Sequence, residues 1–130
     1  MKRGDDLKGR VFLVHWKSSE VGKYSKGLKK EGWLVETETK NVMRAFERIK
    51  RSKPNAVVID LNHRPERGRE VGFTLHSIKV TNDVPVVFVD GHEEVKKKTV
   101  KIVPKAVFST SEELNKTLEK YMKPEEKGKK

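Results

Sequence analysis

Cysteine and glutamine are absent from this 130-residue chain, and aromatic residues make up only 7% of it. Without cysteine there is no disulfide, no thiol nucleophile and no thiolate-held metal. No apolar run approaches the roughly 20 residues needed to span a bilayer. Met1-Lys-Arg-Gly-Asp-Asp6 carries charge but no apolar stretch after it, and Val11-Phe-Leu-Val14 is too short for a signal peptide. The expectation is a cytoplasmic chain with no membrane partner. Glycine is missing from Val14-His-Trp-Lys-Ser-Ser19, so no phosphate-cradling loop follows the first apolar run. Acidic residues are also in deficit, 19 against 30 basic, for a net charge of +11. Such a balance favours polyanions such as nucleic acid, or an acidic protein partner. The same excess of lysine, with no glutamine, also describes the surface of a thermophile protein, where ion pairs cost less to desolvate.

What is present is organised into one domain. Apolar residues are 34% of the chain, and they are gathered in short runs. Five runs recur: Val11-Phe-Leu-Val14, Trp33-Leu-Val-Glu-Thr-Glu-Thr39, Ala56-Val-Val-Ile59, Val84-Pro-Val-Val-Phe-Val89 and Lys105-Ala-Val-Phe108. Continuous β-branched and aromatic runs of this length indicate strands covered on both faces, and the alternation in the second suits a strand nearer an edge. Helical stripes lie between them. Val21, Tyr24 and Leu28 share a face, with Gly32 as a stop. Val42, Phe46 and Ile49 follow an Asn41 cap and end before Pro54. Val71, Leu75 and Ile78 form a third stripe, residues 93–103 a less regular fourth, and Leu114, Leu118 and Tyr121 a fifth behind a Ser111 cap. Strand and helix alternate five times, which predicts a doubly wound α/β fold with a five-stranded parallel sheet and helices on both faces. Residues 1–8 read as a charged arm, 9–123 as the domain and 124–130 as a basic tail.

Asp60 closes the third run, where open α/β sheets place their chemistry. Around it the chain resembles the receiver domain of response regulators, a flavodoxin-like module with strand order 2-1-3-4-5. The resemblance spans roughly residues 9–123. It rests on Asp60, Asn62 and Gly68, which fit the phosphoacceptor, the Mg²⁺-ligating carbonyl two residues on and the glycine eight residues on. Pro65 comes one residue late, and Pro85 leads the fourth run as in receivers.

Departures from the receiver pattern fall on the chemistry. His15 and Trp16 stand where receivers carry the acidic pair that holds Mg²⁺, and neither side chain is a hard oxygen ligand. Asp5 and Asp6 precede the first strand, at its other end. Asp90, followed by Gly91, replaces the switch Thr or Ser. Ser109 replaces the lysine that ends the fifth strand, and Lys105 lies at that strand's start. Phosphoryl transfer depends on neutralising charge about the transferring group, so the resemblance implies a degenerate receiver without efficient phosphorylation of Asp60.

The fold would bring His15, Trp16, Asp60, Asn62, Asp90 and Ser109 to one edge of the sheet. His15 with Asp60 and Asp90 offers the donor types of a transition-metal site. A plain His15–Asp contact is the simpler expectation, and no metal or cofactor is assigned. Ser109, His15 and Asp60 have the residue types of a hydrolase triad but lack a Gly-x-Ser-x-Gly elbow. Trp16 either stacks on a partner or fills the space of a polar pocket. His63, His76 and His92 show no ligand spacing and read as surface or loop residues. Basic residues cluster at Arg44, Arg48 and Arg51 with Lys50 and Lys53, at Arg64, Arg67 and Arg69, and at Lys96, Lys97, Lys98 and Lys101. The leading expectation is a stand-alone protein-interaction module without enzymatic activity, docking through its fourth helix, fifth strand and fifth helix. The alternative is nucleic-acid binding through the basic faces, electrostatic and salt-sensitive. A working phosphoacceptor or metal-dependent activity at Asp60 is the third reading. Monomer and homodimer both remain open.

Overall fold

The computed structural model describes residues 7–121. Most of the expected arm, residues 1–6, the last two residues of the expected domain, 122–123, and the whole tail, 124–130, lie outside them. Strands β1 (Gly9–Val14), β2 (Trp33–Glu38), β3 (Ala56–Asp60), β4 (Val86–Val89) and β5 (Val107–Ser109) alternate with helices α1 (Ser18–Lys30), α2 (Val42–Ser52), α3 (Pro65–Ser77), α4 (Glu93–Ile102) and α5 (Leu114–Glu119). All strand pairs are parallel, in the order β2-β1-β3-β4-β5. The expected topology and strand order are both present.

The period of two along each strand divides the core into two layers. Phe12, Val14, Val57, Ile59, Val86 and Phe88 face α2 and α3 and meet Ala45, Phe46, Ile49, Val71 and Leu75. Val11, Leu13, Val58, Val87 and Val89 face the other way, onto Leu28 of α1 and Leu114 and Leu118 of α5. Strands β1, β3 and β4 are therefore apolar at successive positions, because both of their faces are covered. Gly68 lets α3 lie directly on β3: a Cβ there would stand 2.6 Å from Ile59 Cγ2. The glycine eight residues beyond Asp60 is thus explained by packing alone.

Several boundaries differ from the sequence reading for identifiable reasons. β4 starts at Val86, since Pro85 has no N–H for the ladder and contributes only its carbonyl, to Val57 N–H at 2.9 Å. Ile78 leaves the α3 stripe: it is the extended C-cap residue and is 39% exposed. Asn41 caps α2 as expected, accepting from Arg44 N–H at 2.9 Å. Ser111 does not cap α5, which begins at Leu114. Thr110 Oγ1 accepts from Glu113 N–H at 3.2 Å, while Ser111 N–H is given to Asp90 Oδ1 at 3.1 Å. Lys8, expected in the arm, is joined to the domain through its N–H to Gly32 O at 2.8 Å and its ammonium to Glu119 at 2.6 Å.

Candidate functional site

The C-terminal ends of β1, β3 and β4 meet at Asp60. Pairing of Val14 with Ile59 and of Asp60 with Val89 brings the residues after β1 and β4 beside the carboxylate. Asp60 is 2% exposed. Its Oδ2 accepts the His63 backbone N–H at 2.9 Å and faces His63 Nδ1 at 3.0 Å. The other oxygen, Oδ1, is buried with no hydrogen-bond partner. A buried carboxylate oxygen without a donor is costly to maintain.

His15 is fully buried beside it. Its N–H continues the β1–β2 ladder to Glu38 O at 3.1 Å, and its Nδ1 accepts from Lys17 N–H at 3.1 Å. That bond leaves Nε2 to carry the proton of the neutral ring. Nε2 points into the pocket, 3.8 Å from Asp60 Oδ2 and 3.8 Å from Glu20 Oε1, without a hydrogen bond. Burial pushes the imidazole below its ordinary range; the Asp60 carboxylate pulls it back up, and the neighbouring His63 ring lowers it again. The ring also packs 5.2 Å from the Tyr24 ring and 5.3 Å from that of His63, centre to centre.

The other expected pocket members are turned to different tasks. Trp16 is half-buried against the α2–α3 layer and lies 5.8 Å beneath the Arg67 guanidinium, which takes up its ring. Asn62 does not reach Asp60: its side-chain oxygen accepts from Gly91 N–H at 3.1 Å and ties the β3–α3 loop to the β4–α4 loop. Asp90, at φ 63°, accepts from Tyr24 Oη at 3.1 Å and from Ser111 N–H, joining α1 to the approach of α5. Burial first, and then Asp90, push the Tyr24 phenol well above its ordinary range. Ser109 donates its hydroxyl to Thr110 O at 2.9 Å and accepts from Thr117 at 3.1 Å. It is directed to α5, which removes the nucleophile from the Ser109–His15–Asp60 arrangement.

His63 and Glu20 are the residues that sequence reasoning missed. His63 belongs to the pocket, as a loop residue whose ring is held against Asp60. Its signal was the i, i+3 spacing at a strand end, where an aspartate takes the N–H of a following turn residue. Glu20 sits in the first turn of α1, on the helix that leaves β1. His15, Glu20 and His63 each offer a ligand atom, and these atoms lie within 4.8 Å of one another. His76 bonds to Val84 O at 3.2 Å and His92 precedes α4, exposed, so both are outside the pocket.

The basic clusters do not form one free face. Glu38, 3% exposed at the end of β2, receives Arg48 Nη1 at 3.1 Å and Arg44 Nε at 3.3 Å, and Arg48 also donates to Thr37 O at 2.7 Å. Burial alone would raise the Glu38 carboxyl; the Lys40 and Asn41 N–H groups and the two arginines outweigh it and hold the group below its ordinary range. Arg51 and Arg64 are exposed, and Arg69 Nη1 is buried without a partner. Lys96 and Lys97 pair with Glu93 at 3.8 Å and Glu94 at 4.0 Å, while Lys98 and Lys101 are exposed. α3 packs against both α2 and α4 and separates their cations. Among the described residues no helix is long and apolar enough to cross a membrane.

This geometry defines a doubly wound, flavodoxin-like domain with its polar residues gathered at the carboxyl ends of the strands. Among solved structures the fold is that of response-regulator receiver domains. A chemotaxis response regulator of Vibrio cholerae superposes with a TM-score of 0.72 at 21% identity, over 87% of this chain and 98% of that one. A two-component response regulator of the LuxR family from Aurantimonas sp. gives 0.72 at 18% identity, over 87% and 84%. The receiver domain of a Pseudomonas aeruginosa sensor histidine kinase, with a magnesium ion coordinated in its active-site cleft, gives 0.74 at 13% identity, over 87% and 96%. No family model matches the chain, and no curated protein does. The likeness is one of fold, with little shared sequence.

Proposed function

We propose that the chain is a receiver-fold signalling module of the cytoplasm that docks to a protein partner and does not undergo efficient phosphorylation at Asp60. One observation carries the reading: the polar shell of Asp60 consists of His15 and His63, with Trp16 beside His15 and no lysine at the end of β5. A phosphoryl group arriving at Asp60 would meet a carboxylate whose Oδ2 already serves His63, with no acidic pair to hold Mg²⁺ and no ammonium to receive the charge. The face of α4 supports the docking role. Val100 and Ile102 are 43% and 42% exposed beside Lys97, Lys98 and Lys101, apolar ground with basic residues around it. An acidic, amphipathic protein surface is the complement. The basic residues support nucleic-acid binding less, because Arg44, Arg48 and Arg67 are engaged within the domain.

The test is incubation with acetyl phosphate and Mg²⁺, followed by intact-mass measurement. The expected result is no gain of a phosphoryl group. A labelled peptide containing Asp60, lost in Asp60→Asn, would sink the proposal and restore the phosphoacceptor reading.

A further inference from the structure

We infer that the pocket around Asp60 is a site for a divalent transition metal of the zinc class, held by His15 Nε2, His63 Nδ1 and Glu20, with Asp60 Oδ2 as the fourth donor. The first argument is distance. With bonds of about 2.1 Å, neighbouring ligand atoms stand about 3.0 Å apart in an octahedron and about 3.4 Å apart in a tetrahedron. Here His63 Nδ1 to Asp60 Oδ2 is 3.0 Å, His15 Nε2 to Asp60 Oδ2 is 3.8 Å and His15 Nε2 to Glu20 Oε1 is 3.8 Å. The atoms of His15, Glu20 and His63 all fall within 4.8 Å of one another. Closing these separations to about 3.4 Å takes shifts of up to about an ångström, supplied by Glu20, whose side chain is 42% exposed, and by His63, 31% exposed.

A second, independent observation is that His15 Nε2 is buried, stands 3.8 Å from both Asp60 Oδ2 and Glu20 Oε1, and has no hydrogen-bond partner. The natural resolution is a ligand between the imidazoles and the carboxylates. Donor chemistry then selects the ion. Two imidazoles with carboxylates suit zinc, cobalt or nickel; Mg²⁺ prefers oxygen ligands and keeps its water.

Loading has a definite proton balance. In the metal-free ring the proton is on Nε2, because Nδ1 accepts from Lys17 N–H. When the metal takes Nε2, that proton leaves to solvent and Nδ1 acquires one, so the ring stays neutral and the Lys17–His15 bond opens. At His63 the cation takes the place of the proton on Nδ1 and the ring's one proton sits on Nε2 instead, so this ring also stays neutral. Metal binding is therefore coupled to the loop that starts α1, at the Lys17 amide. None of this depends on a protein partner or on the fate of acetyl phosphate, so failure here leaves the proposed function standing.

The test uses the full chain, stripped with a chelator and titrated with ZnCl₂ or MgCl₂ in a calorimeter. Co²⁺ absorption reports coordination, and the Lys17 amide resonance reports the opened bond. The expected result is one zinc per chain, no comparable response to magnesium, a displaced Lys17 resonance, and affinity lowered at least about tenfold in His63→Ala and in Glu20→Gln. Both of those positions are part-exposed, so the variants keep the fold even where His15→Ala does not. His92→Ala, outside the pocket, should bind as the parent does. No stoichiometric zinc binding overturns the inference. Zinc affinity in both pocket variants within twofold of the parent also overturns it, placing the ion elsewhere.

Discussion

Two carboxylates close the strands on either side of β1, and the protein treats them in opposite ways. Glu38 ends β2 and Asp60 ends β3, at 3% and 2% exposure. Glu38 is fully provided for: two backbone N–H groups and two guanidiniums converge on it. Asp60 receives only the N–H and ring of His63, and one of its oxygens has nothing. Burial is equal, so burial does not decide the role. The difference lies in the donors that the local chain supplies. After β2 the turn into α2 points N–H groups back at the carboxylate and α2 extends arginines over it. After β3 the loop supplies a histidine, whose N–H and ring both meet Oδ2. Glu38 is therefore a fastening, whereas Asp60 keeps one buried oxygen without a donor.

The largest expected effect tests the fastening. Glu38→Ala removes four donors' acceptor and leaves the Arg48 and Arg44 charges unpaired, with Arg48 one-third exposed. Discounted for that exposure, the loss should be about 2–3 kcal/mol, read from urea unfolding. A loss below about 1 kcal/mol would show that the network contributes little beyond solvation of its parts.

Acid should reveal the same contrast. Glu38 is held below its ordinary range in the folded chain, so in the window beneath that range the unfolded chain binds more protons than the folded one. Its contribution is complete above the ordinary carboxylate range and is lost as pH falls through the depressed folded value. Unfolding midpoints measured down an acid series should fall less steeply in Glu38→Gln than in the parent. Parallel curves would remove Glu38 as the source.

Asp60→Asn should have the smallest effect, within about 1 kcal/mol in either direction. The amide oxygen keeps the His63 N–H, and a buried charge with an unsatisfied oxygen is removed. A large destabilisation in the same urea experiment would mean that Asp60 is as structural as Glu38, and the contrast would collapse.

How much of this was legible beforehand follows from the range of the forces involved. The five strands were readable because burial on both faces forces consecutive apolar residues, and the order 2-1-3-4-5 came with the receiver resemblance. Ends were less readable. Ile78 continues the α3 pattern in sequence, but the chain has already turned extended there. Ser111 has the chemistry of a cap, yet its N–H is claimed by Asp90, 21 residues away in sequence. In the pocket, His15 and Asp60 were placed by strand register, which is a backbone property. Asn62 and Ser109 were placed correctly along the backbone but direct their side chains elsewhere, to Gly91 and Thr117, and rotamer choice depends on neighbours that composition does not reveal. Glu20 and His63 enter only because a helix start and a tight loop fold over the strand ends.

The single bond from Gly91 N–H to Asn62 has a consequence of its own. Asn62 lies two residues past Asp60, and Gly91 two residues before α4, so this amide is a short mechanical linkage between the pocket and the α4 surface. By thermodynamic reciprocity, an occupant of the pocket that strains the linkage weakens whatever α4 holds, and an occupant of α4 that strains it loosens the pocket by the same free energy. One side-chain amide thus joins the loop after β3 to the loop that opens α4.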